Sequence, residues 1–205
     1  MKNTLERAYK HLSNDEVMCF LIDIFRKKID WSNRFNPNHS LSIANLIIEQ
    51  QISFKAAITV KRRFAQLING KSDNEIINMS SSKLQSIGIS YRKAEYIKNV
   101  FNFFQSKTAD FEKMSNVEVI NYLTSIKGVG EWTAQMFMIF NLFRQDIFSP
   151  KDLALINSIK KNYSLDVVGS TEIEELTEIW SPYNSIACLI LWESVENQIF
   201  YTGHK

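Results

Sequence analysis

The chain of 205 residues has little cysteine, proline or glycine: two, three and six residues respectively. Cys19 and Cys188 lie far apart and neither belongs to a CxxC pair. That argues against a disulfide framework, a zinc site and an iron–sulfur cluster, and it fits a reducing compartment. His11, His39 and His204 form no ligand spacing. No apolar run reaches transmembrane length. The opening MKNTLERAYKHLSNDEV is polar and lacks the apolar core of a signal peptide. A cytoplasmic protein without a membrane partner is expected. An excess of one charge is missing too, since the formal net charge is only +2. Any grip on nucleic acid must therefore come from local clusters rather than a global field. Such clusters exist at Lys61-Arg62-Arg63, at Arg92-Lys93 with Lys98, and at Lys160-Lys161, although their plain reading is a solvated helix face.

What is present is ordinary globular material: 45% hydrophobic and 22% charged residues, enough for one or two small domains. The apolar residues recur with helical period nearly throughout, and no stretch alternates with period two. Val17, Phe20, Leu21, Ile24 and Phe25 make one stripe, with Asn14 or Asp15 as its cap. Helices are expected over 41–49, 54–68, 90–104, 117–126, 131–143, 153–163 and 183–200, with short ones from Ser72 or Asp73 and from Ser80. The fold class is all-α. The terminal segments can join into a second helical lobe, giving a central lobe of about 40–145 and a second of about 1–39 plus 146–205.

The most telling stretch runs from Leu123 to Asp152. A short glycine turn, Gly128-Val129-Gly130, lies between two helical patterns, and Asp152 follows about twenty residues later, just after Pro150. Such a hairpin can present backbone N–H groups and a helix N-terminus to a phosphate. Asp152 has two readings, a carboxylate that acts on the attached sugar or an N-cap for the next helix. A weak internal echo links LQSIGISYRKAEYI (84–97) to LTSIKGVGEWTAQMF (123–137). It is either two DNA contacts or convergent turn chemistry.

Five segments together resemble the helix-hairpin-helix DNA glycosylases, specifically the 3-methyladenine DNA glycosylase II family. They are IIEQQISFKAAITVKRRFAQL (47–67), IGISYRKAEYIKNV (87–100), IKGVGEWTAQMF (126–137), DIFSPKDLAL (146–155) and WSPYNSIACLILW (180–192), in the family's order. The resemblance implies a two-lobed helical fold with the active site in the cleft between lobes. Some members also carry an N-terminal β domain, but the first forty residues here read as helix, so a compact form is expected. It further implies hydrolysis of the N-glycosidic bond of a damaged base flipped out of duplex DNA.

Roles follow from the resemblance. Gln51, or its neighbour Ile52, stands at the position of the wedge that fills the emptied stack. Asp152 is the catalytic carboxylate, stabilising positive charge on the sugar. Capped on a helix it would stay ionised, and no residue stands out as an acid for the leaving base; Glu49 and Glu131 are unsupported candidates. Alkylated purines such as 3-methyladenine and 7-methylguanine are already cationic and leave without one. Trp132 and Trp192 match the base-stacking tryptophans, with core packing as the alternative, and Met136 replaces a further pocket aromatic. Gly128, Val129 and Gly130 are the phosphate-binding hairpin, and Thr133 caps the next helix or touches phosphate. Related bifunctional enzymes carry lysine where Trp132 stands, so no strand-cleaving lyase is expected. The resemblance implies no required cofactor, but Na+ or K+ at the hairpin's backbone carbonyls. The expected partner is double-stranded DNA carrying damaged bases, met by a monomer. Alternatives are a glycosylase for another lesion and a non-catalytic helix-hairpin-helix binding module.

Overall fold

The computed structural model describes residues 2–203, with Phe54 through its backbone alone; His204 lies outside the described residues. Among these there are twelve α-helices and no strand. They are α1 (Lys2–Leu12), α2 (Glu16–Phe25), α3 (His39–Glu49), α4 (Phe54–Ile68), α5 (Asp73–Ile77), α6 (Ser81–Gln85), α7 (Tyr91–Ser106), α8 (Asn116–Thr124), α9 (Glu131–Phe140), α10 (Leu153–Asn162), α11 (Ser170–Trp180) and α12 (Asn184–Asn197). The all-α class is therefore observed.

Polar residues placed just before apolar stripes start most of these helices. Asp15 accepts from Met18 N, Asn38 from Leu41 N, Ser53 from Ala56 N and Ser90 from Lys93 N. Ser72 and Ser115 form reciprocal capping boxes with Glu75 and Glu118. Each such cap is worth about 1 kcal/mol. Several boundaries are tighter than the periodicity predicts. The helix expected to reach Phe143 stops at Phe140, where Asn141 is the C-cap and its Oδ1 accepts from Asn36 N at 3.1 Å. The last helix stops at Asn197, because Gln198 turns left-handed at φ 54. Helix α11 was not expected. It carries four glutamates, and its apolar stripe is thin: Ile173 and Leu176 are half-buried and only Trp180 is buried.

The chain forms two compact units, Phe35–Leu142 and the remainder on either side. In the first, α3 and α7 are central; α3 packs on α4, α7 and α9, and α7 packs on α5 and α6. Ile43, Ile47, Phe64, Leu84, Ile97, Phe101 and Phe137 fill its core. In the other, α12 packs on α1, α2, α10 and α11. Its segment Ile186–Leu191 is buried throughout, alongside Met18, Phe25, Leu155 and Trp180. Burying each such large side chain contributes about 1.5–3 kcal/mol before entropy is counted.

Candidate nucleic-acid interface and catalytic residues

The candidate residues fall into two groups, one in each unit. The unit Phe35–Leu142 holds the hairpin, Thr133, Trp132, Met136 and the Gln51–Ile52 loop. The other holds Asp152 and Trp192.

The hairpin connects α8 to α9. Gly128 sits at φ 107, a conformation that favours glycine. A Cβ there would meet Tyr96 Cγ on α7 at 2.1 Å, so a ring occupies the space a side chain would need. Gly130 differs from Gly128. Its φ of −96 is ordinary extended backbone, and nothing lies within 4 Å of an added Cβ. Its glycine character is not demanded by conformation; it keeps the approach to the start of α9 open. Gly130 is also the N-cap of α9 and provides no side-chain cap. The N-cap residue itself thus offers no side-chain acceptor to the positive end of the α9 dipole, and a helix N-terminus suits an anion.

Thr133 does not cap that helix. It is 1% exposed, and its hydroxyl accepts from Gln50 Nε2 at 3.0 Å. The same amide donates to Gly128 O at 3.3 Å, while Asn99 Nδ2 donates to Lys127 O at 3.2 Å. Val129 N closes the turn on Ile126 O at 3.0 Å. Each of these carbonyls keeps a second lone pair. The oxygen set thus remains compatible with a monovalent cation. Among the described residues no group of three His, Cys, Asp or Glu could hold a metal ion by side chains.

Trp132, one residue into α9, is part-exposed, whereas Met136, one turn on, is 1% exposed. Between α3 and α4, Gln51 is exposed at φ 56 and Ile52 is 39% exposed. Glu49, considered as an acid, is ion-paired to Lys61 at 2.6 Å. Glu131 is exposed in the first turn of α9.

The turn before α7 repeats much of the hairpin. Gly88 has φ 103, Leu84 and Ile87 are buried like Leu123 and Ile126, and Ala94 is buried like Ala134. The turn is one residue shorter, and there Ser90 fills the cap position with its hydroxyl.

In the other unit, Asp152 is 8% exposed and caps α10. Its Oδ1 accepts from Ala154 N at 2.9 Å, Leu155 N at 3.0 Å and Trp192 Nε1 at 3.3 Å. The structure thus brings Asp152 and the part-buried Trp192 together. Helices α10 and α12, which carry them, are locked by Ser158 Oγ donating to Leu191 O at 2.8 Å and Asn162 Nδ2 to Ser194 Oγ at 3.0 Å. Nearby Cys188 is wholly buried; burial, then the charge of Asp152, pushes its thiol well above the usual range. It is not a thiolate nucleophile. Gln50, Tyr96 and Asn99 were not singled out by sequence, and Lys93 stood out only as part of a basic cluster. They act by reaching across the fold, and no local motif marks such a reach.

The chain is thus an all-α protein that carries a buried capping carboxylate in one unit and a glycine turn and an exposed two-residue loop in the other. Residues 44–182 match the HhH-GPD superfamily of base excision DNA repair proteins, and the chain belongs to that superfamily. It is 27% identical over 206 residues to DNA-3-methyladenine glycosylase 1 of Schizosaccharomyces pombe, covering 93% of this chain and 88% of that one. The alkylbase DNA glycosidase-like protein mag2 of the same yeast is 30% identical over 200 residues, with 92% of each chain covered. The chain spans 66% of the Saccharomyces cerevisiae DNA-3-methyladenine glycosylase, at 28% identity, and 56% of a putative Bacillus subtilis one, at 29%. Among solved structures, the Schizosaccharomyces pombe 3-methyladenine DNA glycosylase in complex with abasic DNA matches at TM-score 0.79 and 28% identity, covering 93% of this chain and 97% of that chain. The Bacillus halodurans DNA-3-methyladenine glycosidase matches at TM-score 0.65 and 34% identity, covering 81% and 80%.

Proposed function

We propose that this protein is a monofunctional glycosylase that removes cationic alkylated purines from double-stranded DNA, acting as a monomer in the cytoplasm. The observation that carries the reading is Asp152: a carboxylate 8% exposed, fixed by two backbone N–H groups and one indole. Three donors on one oxygen hold the group still, and electrostatic catalysis needs a charge whose position is set beforehand. The reaction breaks the C1′–N bond, and its electron pair leaves with the base. A 3-methyladenine or 7-methylguanine departs neutral, because it carried the positive charge before cleavage. The sugar becomes oxocarbenium-like, Asp152 offsets that charge, and water adds to C1′ while losing a proton. No general acid is required.

The hairpin binds a phosphate of the damaged strand through the first N–H groups of α9, with a monovalent cation at the hairpin carbonyls adding positive charge. Gln51 and Ile52 fill the gap left by the flipped base. Trp132 supplies an aromatic face to the cationic base, worth up to about 2 kcal/mol when desolvated, and Trp192 lines the site beside Asp152. Met136, expected in the pocket, is 1% exposed and offers little surface to a base. Trp132 cannot form a Schiff base, which supports hydrolysis without strand cleavage. The names of the relatives agree with this substrate class.

The test is a panel of duplexes carrying alkylated, oxidised or deaminated bases, with free base and strand nicks scored separately. Release of alkylated purines with no nicking beyond spontaneous breakdown of abasic sites is expected. Release confined to another lesion, enzymatic nicking, or binding without release would each overturn the reading.

A further inference from the structure

The Gln51–Ile52 loop is short, and a glutamine at φ 56 needs neighbours that over-determine it. Helix α3 ends at Glu49, so its last carbonyls need partners from elsewhere. Gln50 N reaches Ile47 O at 3.3 Å and Ile52 N reaches Glu49 O at 3.5 Å. The carbonyls of Ile48 and Gln50 are taken by one side chain from another helix. Lys93 Nζ, on α7, donates to Ile48 O at 2.9 Å and to Gln50 O at 2.5 Å. The ammonium is partly buried, and that burial lowers its pKa from the ordinary lysine value. Cations are favourable at a helix C-terminus, and this one closes the end of α3. The side chain of Gln50 meanwhile points the other way, onto Gly128 O and Thr133 Oγ1. One residue therefore has its main chain tied to α7 and its side chain tied to the hairpin.

We propose that Lys93 and Gln50 are positioning residues: Lys93 holds the Gln51–Ile52 loop in its insertion-ready shape, and Gln50 couples that loop to the phosphate-binding hairpin. The inference rests on the wedge reading given above. Its consequence is that insertion and phosphate grip work as one rigid device rather than as two independent contacts. Lys93 belongs to one of the basic clusters whose simplest use would be direct attraction to DNA. Its two carbonyl partners assign it inward instead.

The experiment compares Gln51→Ala, Lys93→Met, Gln50→Ala and the double variant Lys93→Met/Gln51→Ala. Single-turnover excision of an alkylated purine is measured in duplex and in single-stranded DNA of the same sequence. Abasic-duplex binding is measured across salt. Lys93→Met is expected to slow duplex excision about tenfold, or about 1.4 kcal/mol of barrier, with single-stranded excision within about twofold of wild type. Its salt slope stays at the wild-type value, and the double variant is no slower than Gln51→Ala alone. Gln50→Ala gives the same duplex-selective loss by the other tether, and serves should Lys93→Met not fold. Equal loss on both substrates would make these scaffold residues, and a salt slope lower by about one would make Lys93 a phosphate contact; either overturns the proposal. Duplex-selective loss in Gln51→Ala with none in Lys93→Met or Gln50→Ala removes the tether and leaves the wedge. Absence of such loss in Gln51→Ala removes both.

Discussion

Replacing Asp152 with asparagine separates its two roles. The carboxylate oxygen Oδ1 accepts three N–H bonds, from Ala154, Leu155 and Trp192. An asparagine carbonyl oxygen can occupy the same place and accept the same three. Asparagine caps helices about as well as aspartate, so the stability lost at the cap is the charge–dipole contribution, about 0.3–1 kcal/mol. The chemistry loses more. Removing the negative charge beside the developing sugar cation should slow base release at least about a hundredfold, or about 2.7 kcal/mol of barrier. Asp152→Ala provides the contrast, since it loses the cap as well, costing about a further 0.5–2 kcal/mol of stability. Thermal melts and single-turnover release of 7-methylguanine from alkylated duplex, run on the same preparations, give both quantities. Asp152→Asn should melt near wild type, bind abasic DNA and release almost no base. A folded Asp152→Asn protein with near-normal release would reduce Asp152 to a cap and end the mechanism.

The two hairpin glycines should behave oppositely. Gly128→Ala places a Cβ 2.1 Å from Tyr96 Cγ at φ 107 and should cost at least about 2 kcal/mol of stability by chemical denaturation. Gly130→Ala has open space and an ordinary backbone, so its melt should move little, with capping loss and reduced chain entropy offsetting within about 1 kcal/mol. Its affinity for abasic duplex should nevertheless fall about tenfold, because the added methyl stands where a phosphate approaches; unchanged affinity would remove that face from the interface. His39 gives a pH signature. It lies edge-on among Phe104, Phe111 and Phe137, and burial lowers its pKa below the usual 6.5. The unfolded chain then takes up this proton first as pH falls, so this contribution to stability is present above about pH 6.5 and lost below it. His39→Leu should flatten the stability difference between pH 8 and 5.5; an unchanged difference would assign it to other groups.

Much of the fold was legible because local signals agreed. Apolar stripes of helical period, opened by Ser, Asp or Asn, marked α2, α4, α7 and α10 to within a residue or two. Helix α11 escaped because its apolar stripe is only Ile173, Leu176 and Trp180, set among four glutamates. The candidate residues were legible as residue types in motifs, and their wiring was not. Gly128, Trp132 and Asp152 could be picked from short motifs. The bonds from Lys93 to Gln50, 43 positions apart, and from Gln50 to Gly128, 78 apart, exist only through tertiary packing. Gly128 and Gly130 look alike in sequence, yet only one needs to be glycine for its own backbone.

The two similar turns carry one more consequence. Both bring a glycine at φ near 105 to the head of a helix, with matching buried neighbours. They differ at the residue that opens the helix. Ser90 Oγ accepts from Lys93 N at 3.3 Å, so α7 answers its own first turn. Gly130 has no side chain with which to answer. The chain therefore contains its own internal comparison, two turns that differ by one residue in length and by the hydroxyl at the helix start. Under the phosphate-binding reading proposed above, receptivity is made by subtraction: the hairpin withholds the side-chain acceptor that Ser90 supplies to α7.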